Sequence, residues 1–407
     1  MTAVLDGPVC RPIIRALAPV AGAEALVPTT GSPIAYANLD YAASAPALTS
    51  VAEQVSAALT EYASVHRGAG HLSQVTTARY EQARETVRGF VGARADDTVV
   101  FTRNTTDSIN LAASIVPGDV VVLDIEHHAN LLPWTRTGRA RVVSSRPSLE
   151  DTLGALEAEL SRRPAALLAV TAASNVTGEV LPIGRLAGIA HRHGARILVD
   201  GAQLVPHRPV SVASFGVDYL VFSGHKLYAP FGAGVLVGRG DWLDAAQPYL
   251  AGGGAGAAVS IDDVVWHTGA ARHEAGSPNV LGAVSIAAAA QTLRDIGFEQ
   301  IGRHEELLVE RLDEGLAALP HVHPLRIFDD APSRIGIASF VVDGHTPREV
   351  AEYLSSRHGI GVRDGKFCAH PLLAKIGRPG GAVRASFGVG TSSADVDRLV
   401  EALAELG

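Results

Sequence analysis

Short apolar runs alternate with helix-patterned segments through most of this chain, and that alternation limits the folds open to it. The runs fall at Thr98–Thr102, Val120–Leu123, Ala166–Val170, Ile197–Asp200, Tyr219–Phe222 and Gly234–Val237. Between them, Thr106–Ile115, Leu149–Ser161 and Ile183–His193 carry helical spacing. Strands that are apolar throughout, separated by helices, predict an α/β fold with a mostly parallel sheet covered on both faces. Upstream, a helical pattern sets in near Val51, and Ala78–Val91 is amphipathic. Gly252–Gly256 reads as a loop. Beyond it, helices are predicted at Ala283–Asp295, Glu299–Leu319, Pro347–Arg357 and Ser393–Leu406, with strands near Gly336–Val342 and Val383–Phe387. The expected organisation is an Ala/Pro-rich arm over 1–35 that packs on a small domain, a large domain over 36–285, and a smaller α+β domain over 286–407.

A chain of 407 residues can bury a large core and divide into two domains. With 47% apolar and 19% charged residues it is globular. A net charge of -8 argues against a nucleic-acid surface. No apolar run reaches the length of a membrane span, and the N-terminus has no signal-peptide pattern. Two cysteines, Cys10 and Cys368, make no disulfide framework. A cytoplasmic protein is expected.

In an open α/β sheet, ligands collect beyond the carboxyl ends of the strands. After Thr102 comes Arg103-Asn-Thr-Thr106, opening a helix. Hydroxyls and free N–H groups there suit a phosphate, although a Thr serving only as N-cap reads the same way. After Leu123 comes Glu126-His-His-Ala-Asn130. Adjacent histidines on a loop seldom converge on one metal, and no Cys or carboxylate cluster accompanies them, so no metal is expected; an imidazole stacked on a cofactor ring is the alternative. After Val170 comes Thr171-Ala-Ala-Ser-Asn175, and Asp200 is followed by Gln203.

Lys226 ends the run Asp218–Lys226, just after Ser223 and His225. Lys and Arg total 34, of which only Lys226, Lys366 and Lys375 are lysines. Where a cation need only be soluble, this sequence uses Arg. Lysine differs in that its amine can lose a proton and attack a carbonyl, as a Schiff base with pyridoxal phosphate (PLP) requires. A carboxylate at the neighbouring strand end, Asp200, can keep the PLP pyridine nitrogen protonated. An Asp–Lys ion pair would also explain the two residues, but not the hydroxyls and histidines at the other strand ends.

These segments resemble the class V aminotransferase family of fold-type I PLP enzymes, and within it the group II cysteine desulfurases of SUF type and selenocysteine lyase-like enzymes. The resemblance is carried by Asn38–Ala43, His66–Gly68, Phe101–Thr106, Glu126–Asn130, Ser174–Gly178, Val199–Gln203, Ser223–Lys226, Glu274–Asn279, Gly361–Cys368 and Val383–Ser386, in family order. It implies a fold-type I PLP-dependent transferase: a large domain with a mostly parallel seven-stranded sheet and a smaller C-terminal domain. Lys226 would bear the cofactor and Asp200 would pair with its ring nitrogen. Gln203 would donate to the ring hydroxyl, and His127 would stack on the ring. Thr105, Thr106, Ser223 and His225 would bind the phosphate, and Ser277 would complete the partner subunit's cradle in a homodimer. Asn175 would lie near the ring hydroxyl and substrate. Arg384, with Arg363 as a second candidate, would hold the substrate carboxylate.

Cys368 separates the reactions open to such an enzyme. A cysteine desulfurase needs a thiolate to take sulfur from L-cysteine, release L-alanine and pass a persulfide to an acceptor protein. Lys366 and Arg363 stand close in sequence and can lower a thiol pKa. The resemblance places Cys368 at the family's nucleophile, against the alternative of a buried inert cysteine. An aminotransferase, a C–S lyase or a selenocysteine lyase are the competing readings; transamination and β-elimination do not need the thiol. Asp364, Lys366 and Phe367 depart from the small polar or His residues common in the family there. Cys10 matches no motif and is expected to be structural.

Overall fold

The computed structural model describes residues 12–407, so Cys10 lies outside the described residues. Seven strands build the larger sheet: β1 (Asp97–Thr102), β2 (Val120–Leu123), β3 (Ala140–Val143), β4 (Leu167–Thr171), β5 (Arg196–Asp200), β6 (Tyr219–Ser223) and β7 (Gly234–Arg239). Their order is β1-β7-β6-β5-β4-β2-β3. Pairings from β6 across to β3 are parallel, and only β7 runs against its neighbours. Every residue of β2, β4 and β6 is buried, the outcome expected when helices cover both faces. Strand β3 escapes the sequence pattern because it is a partly exposed edge carrying Arg141, which pairs with Glu159 at 3.1 Å.

The smaller sheet contains β8 (Val322–Pro324), β9 (Ile337–Val342), β10 (Arg363–Gly365) and β11 (Ala382–Ser386), all antiparallel in the order β8-β9-β11-β10. Its core gathers Leu308, Leu312, Phe340, Leu354, Val383 and Leu399. The N-terminal segment joins it: Ile14 packs in this cluster, and its main-chain oxygen accepts from Ser393 N–H at 2.9 Å. The Val280–Ile296 helix runs through position 285, and Ile286, Ala289 and Leu293 pack in the larger core. The expected boundary at 285 therefore falls inside a helix. Gly256, read as loop, opens a short strand, Gly256–Val259, paired with Val264–Trp266.

Two local features shape the ground between the sheets. The Thr105–Ile115 helix begins one residue earlier than the pattern suggests, because Asn104 is its N-cap and accepts from Asp107 N–H at 3.0 Å. Gly234 permits this turn to lie on β7: a Cβ there would stand 2.5 Å from Asn104 Cα. Arg363 and Arg384 are cross-strand partners on β10 and β11, which turns both toward the carboxyl ends of the large sheet.

Candidate active site

The carboxyl ends of β1, β2, β4, β5 and β6 meet the β10–β11 edge around a cavity of about 420 Å³, within the range of small-molecule and cofactor sites. Thr105, Thr106, His127, Asn175, Asp200, Gln203, Ser223, His225, Lys226, Arg363, Cys368 and Arg384 all line it. Ser277 lies apart, on the wall of another cavity with Tyr80 and Phe101.

One end is built for an anion. Thr105 N–H donates to Ser223 Oγ at 2.7 Å, and the two hydroxyls lie 2.7 Å apart. This is the N-terminus of an 11-residue helix, where unpaired N–H groups point outward. His225 lies beside it, and its ring is pushed down to about 4 by burial, with Lys226 adding to the effect. It is a neutral hydrogen-bonding group near pH 7.

Lys226 follows directly, in the single turn Gly224–Lys226 that stops β6. Burial lowers its amine to about 8; Asp200 opposes this and Arg384 reinforces it. A lysine so placed is deprotonated often enough near neutral pH to act as nucleophile and base. Asp200 is buried, and its Oδ1 accepts from Ala202 N–H at 3.0 Å. Burial raises its carboxyl, while that hydrogen bond and Lys226 hold it down. Gln203 is fixed by donating from Nε2 to the Ala42 oxygen at 3.0 Å.

His127 Nδ1 accepts from Ala129 N–H at 3.0 Å, so the ring proton sits on Nε2. Burial, with Lys226 nearby, takes its pKa down to about 3, and the ring is neutral. His128 points elsewhere, meeting His370 edge-on at 4.7 Å. Among the described residues no group of three or more His, Cys, Asp or Glu could hold a metal ion. Behind His127, Glu126 is completely buried; its oxygens accept from Asn130 Nδ2 at 2.7 Å and Thr171 N–H at 3.1 Å. Burial, with Asp200 adding to it, pushes Glu126 up to about 8.

Cys368 is exposed at the mouth. Its loop is tied down on both sides: Asn175 Nδ2 donates to the Phe367 oxygen at 2.8 Å, and His128 N–H donates to the Cys368 oxygen at 2.8 Å. Phe367 and Cys368 are consecutive non-glycine residues in the left-handed region, at φ 51° and 54°. The buried Phe367 ring lies under the Arg384 guanidinium, 5.1 Å from its Cζ. Arg384 also donates to the Asn175 oxygen at 2.8 Å and to Asp40 Oδ1 at 3.1 Å.

Asp40, Asn104, Glu126 and Phe367 are site residues with no role assigned from sequence motifs. The N-cap rule alone could have marked Asn104; the other three act through partners distant in the chain. The residues fit PLP. A helix N-terminus with two hydroxyls stands at one end of the cavity, a buried carboxylate and a lysine of lowered pKa lie within it, and its volume matches a cofactor of this size.

A family model described as aminotransferase class-V matches residues 37–399. The chain is 38% identical over 408 residues, 96% of each sequence, to a cysteine desulfurase of Klebsiella pneumoniae (strain 342). It is 36% identical to a probable cysteine desulfurase 1 of Mycobacterium leprae over 85% of this chain, but spans only 58% of that longer protein. Among solved structures, the apo cysteine desulfurase from Thermococcus onnurineus NA1 aligns with TM-score 0.85 and 36% identity, covering 91% of this chain and 94% of that one. The cysteine desulfurase CsdA (S-sulfonic acid) from Escherichia coli aligns at 0.81 and 34%, covering 91% and 95%. The lysine-bearing strand end, the two-sheet architecture and a family match over nearly the whole sequence agree: the chain belongs to the class-V aminotransferase family.

Proposed function

We propose that this protein is a PLP-dependent cysteine desulfurase that converts L-cysteine to L-alanine and passes the sulfur on through Cys368. The observation that carries this is one cavity holding Lys226, Asp200, Arg384 and an exposed cysteine. When bound, PLP supplies an electron sink for bonds at the substrate's Cα.

Lys226 is the cofactor-bearing residue and the group that moves protons at the substrate's carbons, a task suited to an amine with pKa near 8. Asp200 would pair with the cofactor's ring nitrogen, and Gln203 would donate to its ring hydroxyl. His127 supplies a neutral ring face. Thr105, Thr106, Ser223 and His225 hold the phosphate. Arg384 takes the substrate carboxylate, with Asn175 beside it and Arg363 in support. Cys368 Sγ, as thiolate, attacks the substrate's sulfur: an S–S bond forms as the substrate's Cβ–S bond breaks. The electron pair stays with carbon, which is protonated to become the methyl of alanine. The resulting persulfide lies at an exposed position, open to an acceptor protein.

We also propose a homodimer in which Ser277 completes the partner's phosphate cradle; its place outside the Lys226 cavity of its own chain supports this. The large domain then reaches to the end of the Val280–Ile296 helix, and the N-terminal arm belongs with the small domain. Cytoplasmic placement is favoured by the absence of a disulfide framework; no helix among the described residues is long and apolar enough to cross a membrane.

The test is product analysis with L-cysteine, comparing the native protein with Cys368→Ala. Alanine that depends on Cys368 supports desulfuration. Pyruvate and ammonia, or consumption of other amino donors with cysteine untouched, would move the protein to a lyase or an aminotransferase.

A further inference from the structure

Arg384 already faces a carboxylate. Its Nη2 donates to Asp40 Oδ1 at 3.1 Å and its Nη1 to the Asn175 oxygen at 2.8 Å. Nε is buried and has no partner among the described residues. The Arg384 side chain is 3% exposed and that of Asp40 23%, so Asp40 is the member of the pair that can turn to water. Burial raises the Asp40 carboxyl, while Arg384 and Arg363 draw it down. It serves as counter-charge to both guanidiniums on this wall.

A guanidinium grips a carboxylate best through two parallel N–H bonds. On Arg384 the edge formed by Nε and Nη2 has one donor idle and the other engaged by Asp40. We propose that Asp40 is an intramolecular competitor for Arg384, holding Nη2 until the substrate's carboxylate displaces it and takes Nε and Nη2 together. This rests on the reading of Arg384 as the substrate's carboxylate site. The competition makes Asp40 a specificity residue. A carboxylate that spans both donors gains more than Asp40 loses, whereas a small anion meeting one donor does not.

The experiment titrates the holoenzyme with L-alanine and with ethylamine, the same amine without its carboxylate, and follows the cofactor's absorbance. Asp40→Asn keeps an oxygen for Nη2 and removes the charge; Asp40→Ser is the second variant. Loss of the charge that strengthens the competing bond in Asp40→Asn, and loss of the carboxylate itself in Asp40→Ser, should tighten L-alanine about 3- to 10-fold in both variants and leave ethylamine unchanged. Unchanged or weaker L-alanine binding, or an equal shift for both ligands, overturns the proposal. Arg384→Gln separates the two readings. If the preference for L-alanine over ethylamine survives that change, the role of Arg384 is wrong. If Arg384→Gln removes the preference but the Asp40 variants leave it unmoved, only the competitor role falls.

Discussion

The main-chain oxygen of Cys368 accepts a hydrogen bond from the main-chain N–H of His128 at 2.8 Å. Through this bond the loop carrying the thiol is registered against the turn that presents His127, although the two belong to different sheets. Asn175 fixes the preceding carbonyl, of Phe367, at the same distance. The thiol is thus exposed on a backbone held at both sides, the arrangement expected of a nucleophile that must meet a bound substrate and then an external acceptor.

Replacing Lys226 by Ala should lower turnover of L-cysteine by at least about 10²- to 10⁴-fold, the usual worth of a positioned acid–base group. Borohydride treatment should no longer fix the cofactor to the chain, as mass spectrometry would show. Turnover within tenfold of the native rate would contradict the assignment.

Cys368→Ala should bind cofactor normally but release no alanine from L-cysteine and form no persulfide on the chain. Because φ at 368 is 54°, Cys368→Gly should be more stable than Cys368→Ala by about 1 kcal/mol, since only the Ala Cβ is disfavoured there. Denaturation midpoints of the two inactive apoproteins compare them directly.

Cofactor uptake by the apoprotein should depend on neutral Lys226. With its amine at about 8, the rate should rise with pH to a plateau above that value and fall about tenfold per unit below it. Stopped-flow absorbance from pH 6 to 9 would measure this; a midpoint near 10 would mean the amine is not held down by burial.

Glu126 gives a stability signature. Its folded pKa of about 8 lies above the unfolded value of about 4.3. The folded form therefore keeps a proton that the unfolded chain has released, and the stabilisation is complete below about pH 4.3 and lost as pH rises through about 8. Glu126→Gln cannot titrate, and its amide must face a donor, so it should cost about 1–3 kcal/mol at pH 5. That deficit should shrink toward pH 8; denaturation of the apoprotein at both pH values decides whether it does.

The parallel sheet, and the strand ends that carry Asp200 and Lys226, were legible in the order of residues alone. Val120–Leu123 is apolar throughout, and Leu167–Thr171 and Tyr219–Ser223 are apolar up to their last residues, Thr171 and Ser223, so they read as covered strands, and Asp200 and Lys226 fall at strand ends that the topology must gather. The edge strand Ala140–Val143 lacked that signal because part of its surface meets water. The surroundings of Arg384 and Glu126 came into view with the folded chain. Arg384 meets Asp40 across 344 positions, Phe367 slides beneath its guanidinium, and Glu126 acquires its proton from burial and the nearness of Asp200. Local periodicity reports which face of an element is covered; it carries no information about which distant side chain does the covering, and charge pairing and pKa depend on that partner.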